Sequence, residues 1–528
     1  MIASIRALLC VIVVASSCYA APGTISGTVR DGAGAPFRGA FVRAKNSSTK
    51  VTMNVLTDGQ GRFRLQNLPQ GDYDVRATAI GFQDDLRAGV RLAAQPVSLD
   101  FKLENGTVQW SDLSTYQGRQ LLPKTKDHDL SYQDKFFTSC FQSCHSFQKT
   151  MAPFTRDESG WLQRVRYMRD VIIAGEGSDR MSDAEAENFA SYMTFAFGPN
   201  SPKPASPASL PEYKKLVRSF SDEAMKIVYV EYDFAGSKGL GPWSAVEAKD
   251  GTVWMPYYGR GNEVVRLNPE TGELTRFLLP FTKTAGIHSA IPAPDGTVWF
   301  TEAALGRVGH LDPRTKEIKE YQNILDNGES GGSHTVRVDD RGYVWTSGGP
   351  TISRFDPETK KFMHYDVGGT YGNVIGRNGD QWFTVFREDG PIVRVTQAGV
   401  VSKFYPPTKG KPQRLEVDTD GIVWFSERRG GKIGRFDPKT ETFQEYQLPG
   451  PSPSPYAIGI DRDHRIWYAS HEQDTIGRLN PKTGEVTEYP FPHSEISIRE
   501  FFLDSKGRMW YASPANNVVG YFIPSSVD

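Results

Sequence analysis

Seven tryptophans, Trp254, Trp299, Trp345, Trp382, Trp424, Trp467 and Trp510, recur at an interval averaging about 43 residues, the length of one propeller blade. No other feature constrains the fold as tightly. A turn precedes each one: Asp250-Gly251, Asp295-Gly296, Asp340-Arg341-Gly342, Asn378-Gly379, Asp420-Gly421, Asp463-His464 and Ser505-Lys506-Gly507. After most of them comes a second strand, as in Ile433 to Pro438 and Ile476 to Pro481, then another turn and an outer strand. Four strands per repeat and seven repeats predict a seven-bladed β-propeller over residues 222–528. The last repeat lacks an outer strand. Lys226 to Phe234 has the pattern to supply it, so the ring is expected to close on that segment and leave no open edge.

The repeat consensus, D-G-x-V-W-F-x-E followed by I-G-R-F-D-P-x-T-G-x-x-x-x-Y, resembles the virginiamycin B lyase (streptogramin lyase) family. That resemblance implies elimination on a cyclic ester by a His base, with magnesium held by two glutamates, one two residues before the His and one fourteen after it. His288 and Glu302 reproduce the His-to-Glu spacing, but Gly286 stands where the first Glu is expected. Glu427 or Glu416 is a candidate replacement from across the channel. Eleven residues before each repeat Trp lie Trp243, His288, His334, Tyr371, Gln413, Tyr456 and Arg499. With Arg414 they form an aromatic and basic set expected at the propeller channel, suited to a polyol, sugar or quinone-like ligand. Three residues after each Trp lie Tyr257, Glu302, Gly348, Val385, Glu427, Ser470 and Ser513, placed at the same mouth. The alternative for all of these is a wet polar lining that binds nothing in particular.

At the other end, Thr24 to Arg30, Ala40 to Ala44 and Leu68 to Ala77 alternate as strands between Gly- and Pro-rich turns. The pattern over residues 23–104 resembles the carboxypeptidase regulatory-like domain, a transthyretin-like sandwich, which implies a spacer or adhesive module without catalysis.

Between the two lies Cys140-Phe-Gln-Ser-Cys144-His145. Two cysteines followed directly by a histidine suit covalent haem c: the thiols add to the vinyl groups and the imidazole takes an axial iron position. The usual motif has two residues between the cysteines, and this one has three, so the extra residue must bulge for both thiols to react. A local disulfide or a pair of free thiols is the alternative. Helical spacing follows at Trp161, Leu162, Val165 and Met168, and Ser182 to Glu185 reads as a capping box. Residues 128–197 resemble a small cytochrome c domain. That resemblance implies a sixth ligand before the last helix, Met181, with Met168 as runner-up. Residues 198–221 are rich in Pro and Ser and are expected to act as a stiff spacer.

Arg6, the apolar run from Leu8 to Ala15, and Ala20-Ala21 read as a signal peptide over residues 1–20, so the protein is expected to be secreted or periplasmic. Lipidation at Cys18 is the alternative. The mature chain then keeps two of the 4 cysteines, Cys140 and Cys144. With 61 basic and 62 acidic residues, nothing asks for nucleic acid, and no later stretch is long and apolar enough to span a bilayer. The sequence thus predicts a mainly β, multidomain protein: sandwich, small helical haem domain and propeller. The expected function is electron transfer or redox chemistry coupled to a ligand-binding propeller, with a redox partner protein. The alternatives are a lyase-type enzyme and a non-catalytic binding or adhesion protein.

Overall fold

The structure, a computed structural model, describes residues 22–124, 147–172, 182–234, 241–258, 262–280 and 284–524. Seven antiparallel blades surround a central axis. Blade 2 shows the plan, with strands Ile287–Pro292, Val298–Glu302, Arg307–Asp312 and Glu317–Gln322 in sequential order. Each repeat tryptophan lies on the second strand of its blade and packs between blades. In four blades its indole N–H is satisfied by an aspartate six residues earlier: Asp339 to Trp345 at 2.9 Å, Asp418 to Trp424 at 2.8 Å, Asp461 to Trp467 at 2.7 Å and Asp504 to Trp510 at 2.7 Å. The same aspartates tie down the turns of the repeat, as when Asp418 Oδ1 accepts from the amides of Asp420 and Ile422. Turn signal and core tryptophan are therefore one device.

The third strand carries a glycine for a different reason. A Cβ at Gly309, Gly434 or Gly477 would lie 2.0–2.1 Å from the ring of Phe300, Phe425 or Tyr468. These aromatic residues follow the repeat Trp and lie flat across the next strand, which leaves no room for a side chain.

Blade 7 is closed from outside the C-terminal sequence. Tyr229–Asp233 pairs with Val518–Phe522, as expected for the closing strand. Its other edge pairs with Val51–Asn54 of the N-terminal sandwich. One eight-stranded sheet therefore runs from blade 7 through the closing strand into the sandwich. The sandwich's second sheet consists of Arg62–Leu68, Gly23–Asp31 and Val97–Leu103, and its core includes Ile25, Val42, Phe63, Tyr73 and Phe101. The junction is held by buried Glu231, whose carboxylate accepts from Tyr511 (2.9 Å) and Asn54 (3.0 Å) and pairs with His493 (2.8 Å). The sandwich is part of the propeller's closure rather than a detached spacer.

The helical unit begins earlier than residue 128. Trp110, Leu113 and Leu121 join Phe147, Trp161, Phe189, Tyr192 and Phe197 in one core. Among the described residues its longer helices are Thr115–Leu121, Glu158–Tyr167 and Asp183–Phe197, the last started by the reciprocal Ser182–Glu185 capping box. The segment expected as a stiff spacer is instead a packed strap. Trp110 Nε1 donates to Pro204 O at 2.8 Å, Ser206 Oγ donates to Val108 O at 2.8 Å, and Leu210, Tyr213 and Leu216 pack on the helical core. Its prolines hold an extended path, but apolar side chains along that path find a surface to cover. No helix among the described residues is long and apolar enough to cross a membrane.

Candidate functional site at the propeller mouth

In each blade the first strand starts, and the second strand ends, on the same face of the propeller. Side chains from the starts of the first strands meet around the axis and touch in sequence. Trp243 Nε1 donates to His288 Nε2 at 2.7 Å. The His288 and His334 rings have centroids 3.5 Å apart, and those of His334 and Tyr371 are 4.4 Å apart. The Tyr371 and Tyr456 hydroxyls are hydrogen-bonded. Arg499 lies 4.8 Å from the ring of Tyr456 and 4.8 Å from that of Trp243, which closes the circle. Blade 5 contributes differently. Gln413 stays with Arg428, while Arg414 lies 4.9 Å from the Tyr371 ring.

In four blades these side chains reach the axis from irregular first strands. The register with the second strand shifts between Ile287 and Ala290, Thr370 and Asn373, Pro412 and Leu415, and Pro455 and Ile458. Such bulges re-aim side chains, and His288, Tyr371, Gln413, Arg414 and Tyr456 all fall inside them.

The second-strand contribution is not the one expected from sequence. The residues three after each Trp, including Glu302 and Glu427, turn away from the axis. The charged neighbours of Glu302 are Glu320 and Arg307, whereas those of His288 are Arg414 and Arg499. Burial and the adjacent Glu320 push the Glu302 carboxyl up to about 8. Burial and Glu445 do the same to Glu427. The proposed His288–Glu302 dyad is therefore not assembled. Strand side chains alternate, so a shift of one residue changes the face, and in four blades it is the residue four after the Trp that meets the ring. Tyr258 packs on Trp243 at 4.4 Å, Phe386 on Tyr371 at 4.7 Å, and His471 on Tyr456 at 4.7 Å; the Arg428 guanidinium lies 4.9 Å from Tyr456. Sequence reasoning missed these four, although a count one residue further along the repeat finds them.

The result is a cup. Trp243, Tyr258, His334, Tyr371, Phe386 and His471 form a half-buried aromatic lip, and His288, Tyr456, Arg414, Arg428 and Arg499 are buried beneath it. Below the ring a small cavity is lined by Arg337, Asn373, Arg414, Glu416, Ile458 and Glu500 among others. There Glu500 accepts from Arg414 at 2.6 Å and lies 3.6 Å from Arg337. Burial pushes Glu416 up to about 7. Burial, followed by nearby arginines, holds His334 and His471 well below the usual imidazole range, and for His288 the His334 ring adds to this. All three are neutral bases. Burial pushes the Tyr456 phenol up, but Arg499, Arg414 and Arg428 outweigh it and hold it below the usual phenol range.

A lyase-type magnesium site does not fit. No blade carries Glu, then His two residues on, then Glu fourteen further: blade 2 has Gly286, His288 and Glu302, blade 6 has Ser454, Tyr456 and Ser470, and blade 7 has Ser497, Arg499 and Ser513. Among the described residues no group of three or more His, Cys, Asp or Glu is placed to hold a metal ion. The haem candidates Cys140, Cys144, His145 and Met181 lie outside the described residues. Met168 is half-buried at the end of the helix Glu158–Tyr167.

The helical unit sits on this same mouth face. Tyr116 N donates to Glu472 O at 2.9 Å, in the loop that follows the second strand of blade 6. Arg119 pairs with Glu472 at 3.4 Å and Gln148 bonds to Asp474. Lys149 donates to Ala515 O at 2.5 Å and Asn516 at 2.6 Å in the corresponding loop of blade 7.

Comparison with known proteins accounts for both ends of the chain. No curated protein matches it significantly. The virginiamycin B lyase of Staphylococcus aureus is similar at 24% identity, over 56% of this chain and 99% of that one, with a TM-score of 0.51. A streptogramin B lyase structure is similar at 23% identity, over 57% and 99%, with a TM-score of 0.52. A catalytically inactive His-to-Ala variant of the Staphylococcus aureus enzyme, with quinupristin, is similar at 24% identity, over 56% and 99%, with a TM-score of 0.50. These likenesses establish a shared propeller fold. Residues 358–526 match the model of the Virginiamycin B lyase family, and residues 24–104 match that of the carboxypeptidase regulatory-like domain.

Proposed function

We propose that the protein is an exported redox protein in which a small ligand binds in the propeller mouth and the helical unit carries a covalent haem beside it. The observation behind this reading is that the helical unit docks on the mouth face. Gln148, bonded to Asp474, lies three residues after His145 of the attachment motif. Asp474 belongs to the same loop as His471, which stacks on Tyr456 of the ring. In this reading Cys140 and Cys144 would hold the haem, and His145 together with Met181, or else Met168, would supply ligands to its iron. Bound there, haem c would supply one-electron transfer. The chain's own residues hold the ligand, exclude water and fix the tautomers of His288 and His471. Secretion or periplasmic export, expected from residues 1–20, fits haem attachment outside the cytoplasm, and a redox partner protein would complete the electron path.

Expression in a periplasm with the haem-attachment machinery tests the reading. Absorbance that survives denaturation and gives a pyridine haemochrome band is expected, with loss in Cys144→Ala. A mass equal to bare thiols or a disulfide ends the haem reading. A second reading, a binding protein without redox chemistry, is favoured by the completeness of the mouth ring, which needs no haem to form. The lyase alternative has the fold match in its favour but lacks the Glu-His-Glu set. Turnover of a streptogramin lactone with magnesium would restore it.

A further inference from the structure

Three arginines meet in the mouth. Arg414, Arg428 and Arg499 converge on Tyr456, with guanidinium carbons 6.0, 4.9 and 4.8 Å from its ring. Two nearby carboxylates are already engaged. Glu500 is shared between Arg414 and Arg337, and Glu472 pairs with Arg119 and accepts from Ser452 Oγ at 2.6 Å. Arg428 bonds a neutral partner, the side-chain oxygen of Gln413, at 3.5 Å. Arg414 is 4% exposed, yet among the described residues its Nε and Nη2 have no acceptor, and the Nε of Arg428, at 2% exposure, has none either. Donors buried to this degree without acceptors are costly to leave unmet. Above them the lip is flat and aromatic.

Resting on the reading of the mouth as a ligand site, we propose that its ligand is a planar aromatic monoanion. A benzoate-type carboxylate would lie on Arg414 and Arg428 while its ring packs among Trp243, His334 and Tyr371. Guanidinium forks match a carboxylate's two oxygens, and the aromatic walls accept a flat ring in offset or edge contacts. The depressed phenol of Tyr456 reports the same positive field at the floor of the cup. Neutral sugars and polyols would leave that charge unanswered.

Calorimetric titration of the full chain with sodium benzoate, benzamide and glucose tests the class of ligand. Saturable benzoate binding is expected, with benzamide at least tenfold weaker and glucose silent. Arg428→Gln should weaken benzoate at least tenfold. Arg428→Lys, which keeps the charge and loses the fork, should recover part of it, and matched melting curves separate this from misfolding. Benzamide or glucose binding as well as benzoate, with the binding lost in Trp243→Ala, overturns the anion class and leaves the mouth site standing. No binding of any of the three, or benzoate binding unchanged in both Arg428→Gln and Trp243→Ala, overturns the anion class and the mouth site together.

Discussion

Tyr456 and His471 stack at 4.7 Å with ring planes 17° apart, one from the bulged first strand of blade 6 and the other from just beyond the second. His471 Nε2 donates to Ile498 O at 2.8 Å, so the proton of the neutral ring sits on Nε2. In His288 Nε2 accepts from Trp243, so the proton is on Nδ1. Two neutral imidazoles of opposite tautomer thus stand on opposite sides of the mouth.

Their neutrality sets a pH dependence. His288, His334 and His471 are held well below 6.5, while an unfolded histidine titrates near its ordinary value. As pH falls through about 6.5 the unfolded chain takes up protons that the folded chain refuses, so stability falls. Each histidine contributes up to about 1.4 kcal/mol per pH unit. Urea melts of wild type and His334→Gln between pH 7 and about pH 5 should show a shallower loss in the variant. Parallel curves would contradict a neutral His334.

The carboxyls of Glu302 and Glu427 act in the opposite direction. Both are pushed up to about 8, so their contribution is present below the unfolded carboxylate range and is lost as pH rises toward 8. Glu302→Gln keeps the shape and removes the charge. The variant should melt higher than wild type above pH 8, with little difference near pH 5. A variant less stable at both pH values would show that the ionised carboxylate is needed.

Gly434→Ala tests the third-strand glycine. The added Cβ would lie 2.0 Å from the Phe425 ring, and the backbone there is not in the left-handed region, so the cost is purely steric. A loss of about 2–3 kcal/mol is expected by thermal denaturation. The double variant Gly434→Ala, Phe425→Leu should lose less than the sum of the two single variants.

The closing strand serves two domains. Val230 pairs with Tyr521 on one side and Met53 on the other. Val230→Pro removes an amide from the middle of the eight-stranded sheet and is expected to cost 3 kcal/mol or more, by an order-of-magnitude rule of about that size. Limited proteolysis should then cut between residues 105 and 235 at a rate that leaves wild type intact. An unchanged melting temperature would mean that the ring does not depend on this strand.

Glu231 locks the same junction. Burial pushes its carboxyl up, but the His493 interaction and the hydrogen bonds from Tyr511 outweigh it and hold it below the usual range. Its contribution is therefore complete above the unfolded carboxylate pKa and is lost as pH falls through the lower folded value. Glu231→Ala leaves His493, Tyr511 and Asn54 without their shared acceptor and should cost about 3–5 kcal/mol. The calorimetric transition should also split if the sandwich and propeller melt separately.

The sequence by itself determined the blade count, the core tryptophans, the closing strand and, Gln413 excepted, the ring of residues eleven before each Trp. All of these follow from local pattern: alternation along a strand, a turn residue, and a repeat whose period fixes where each strand begins. Tertiary structure alone decided which second-strand position faces the axis, because alternation makes a one-residue error a change of face, as Glu302 and Arg428 show. It also placed Arg414 beside Gln413 in the mouth, since bulges follow from the twist of neighbouring blades and leave no fixed mark in sequence. The docking of the helical unit and its Pro-rich strap was equally hidden. Gln148 and Asp474 are 326 residues apart, and only the closed ring brings their surfaces together.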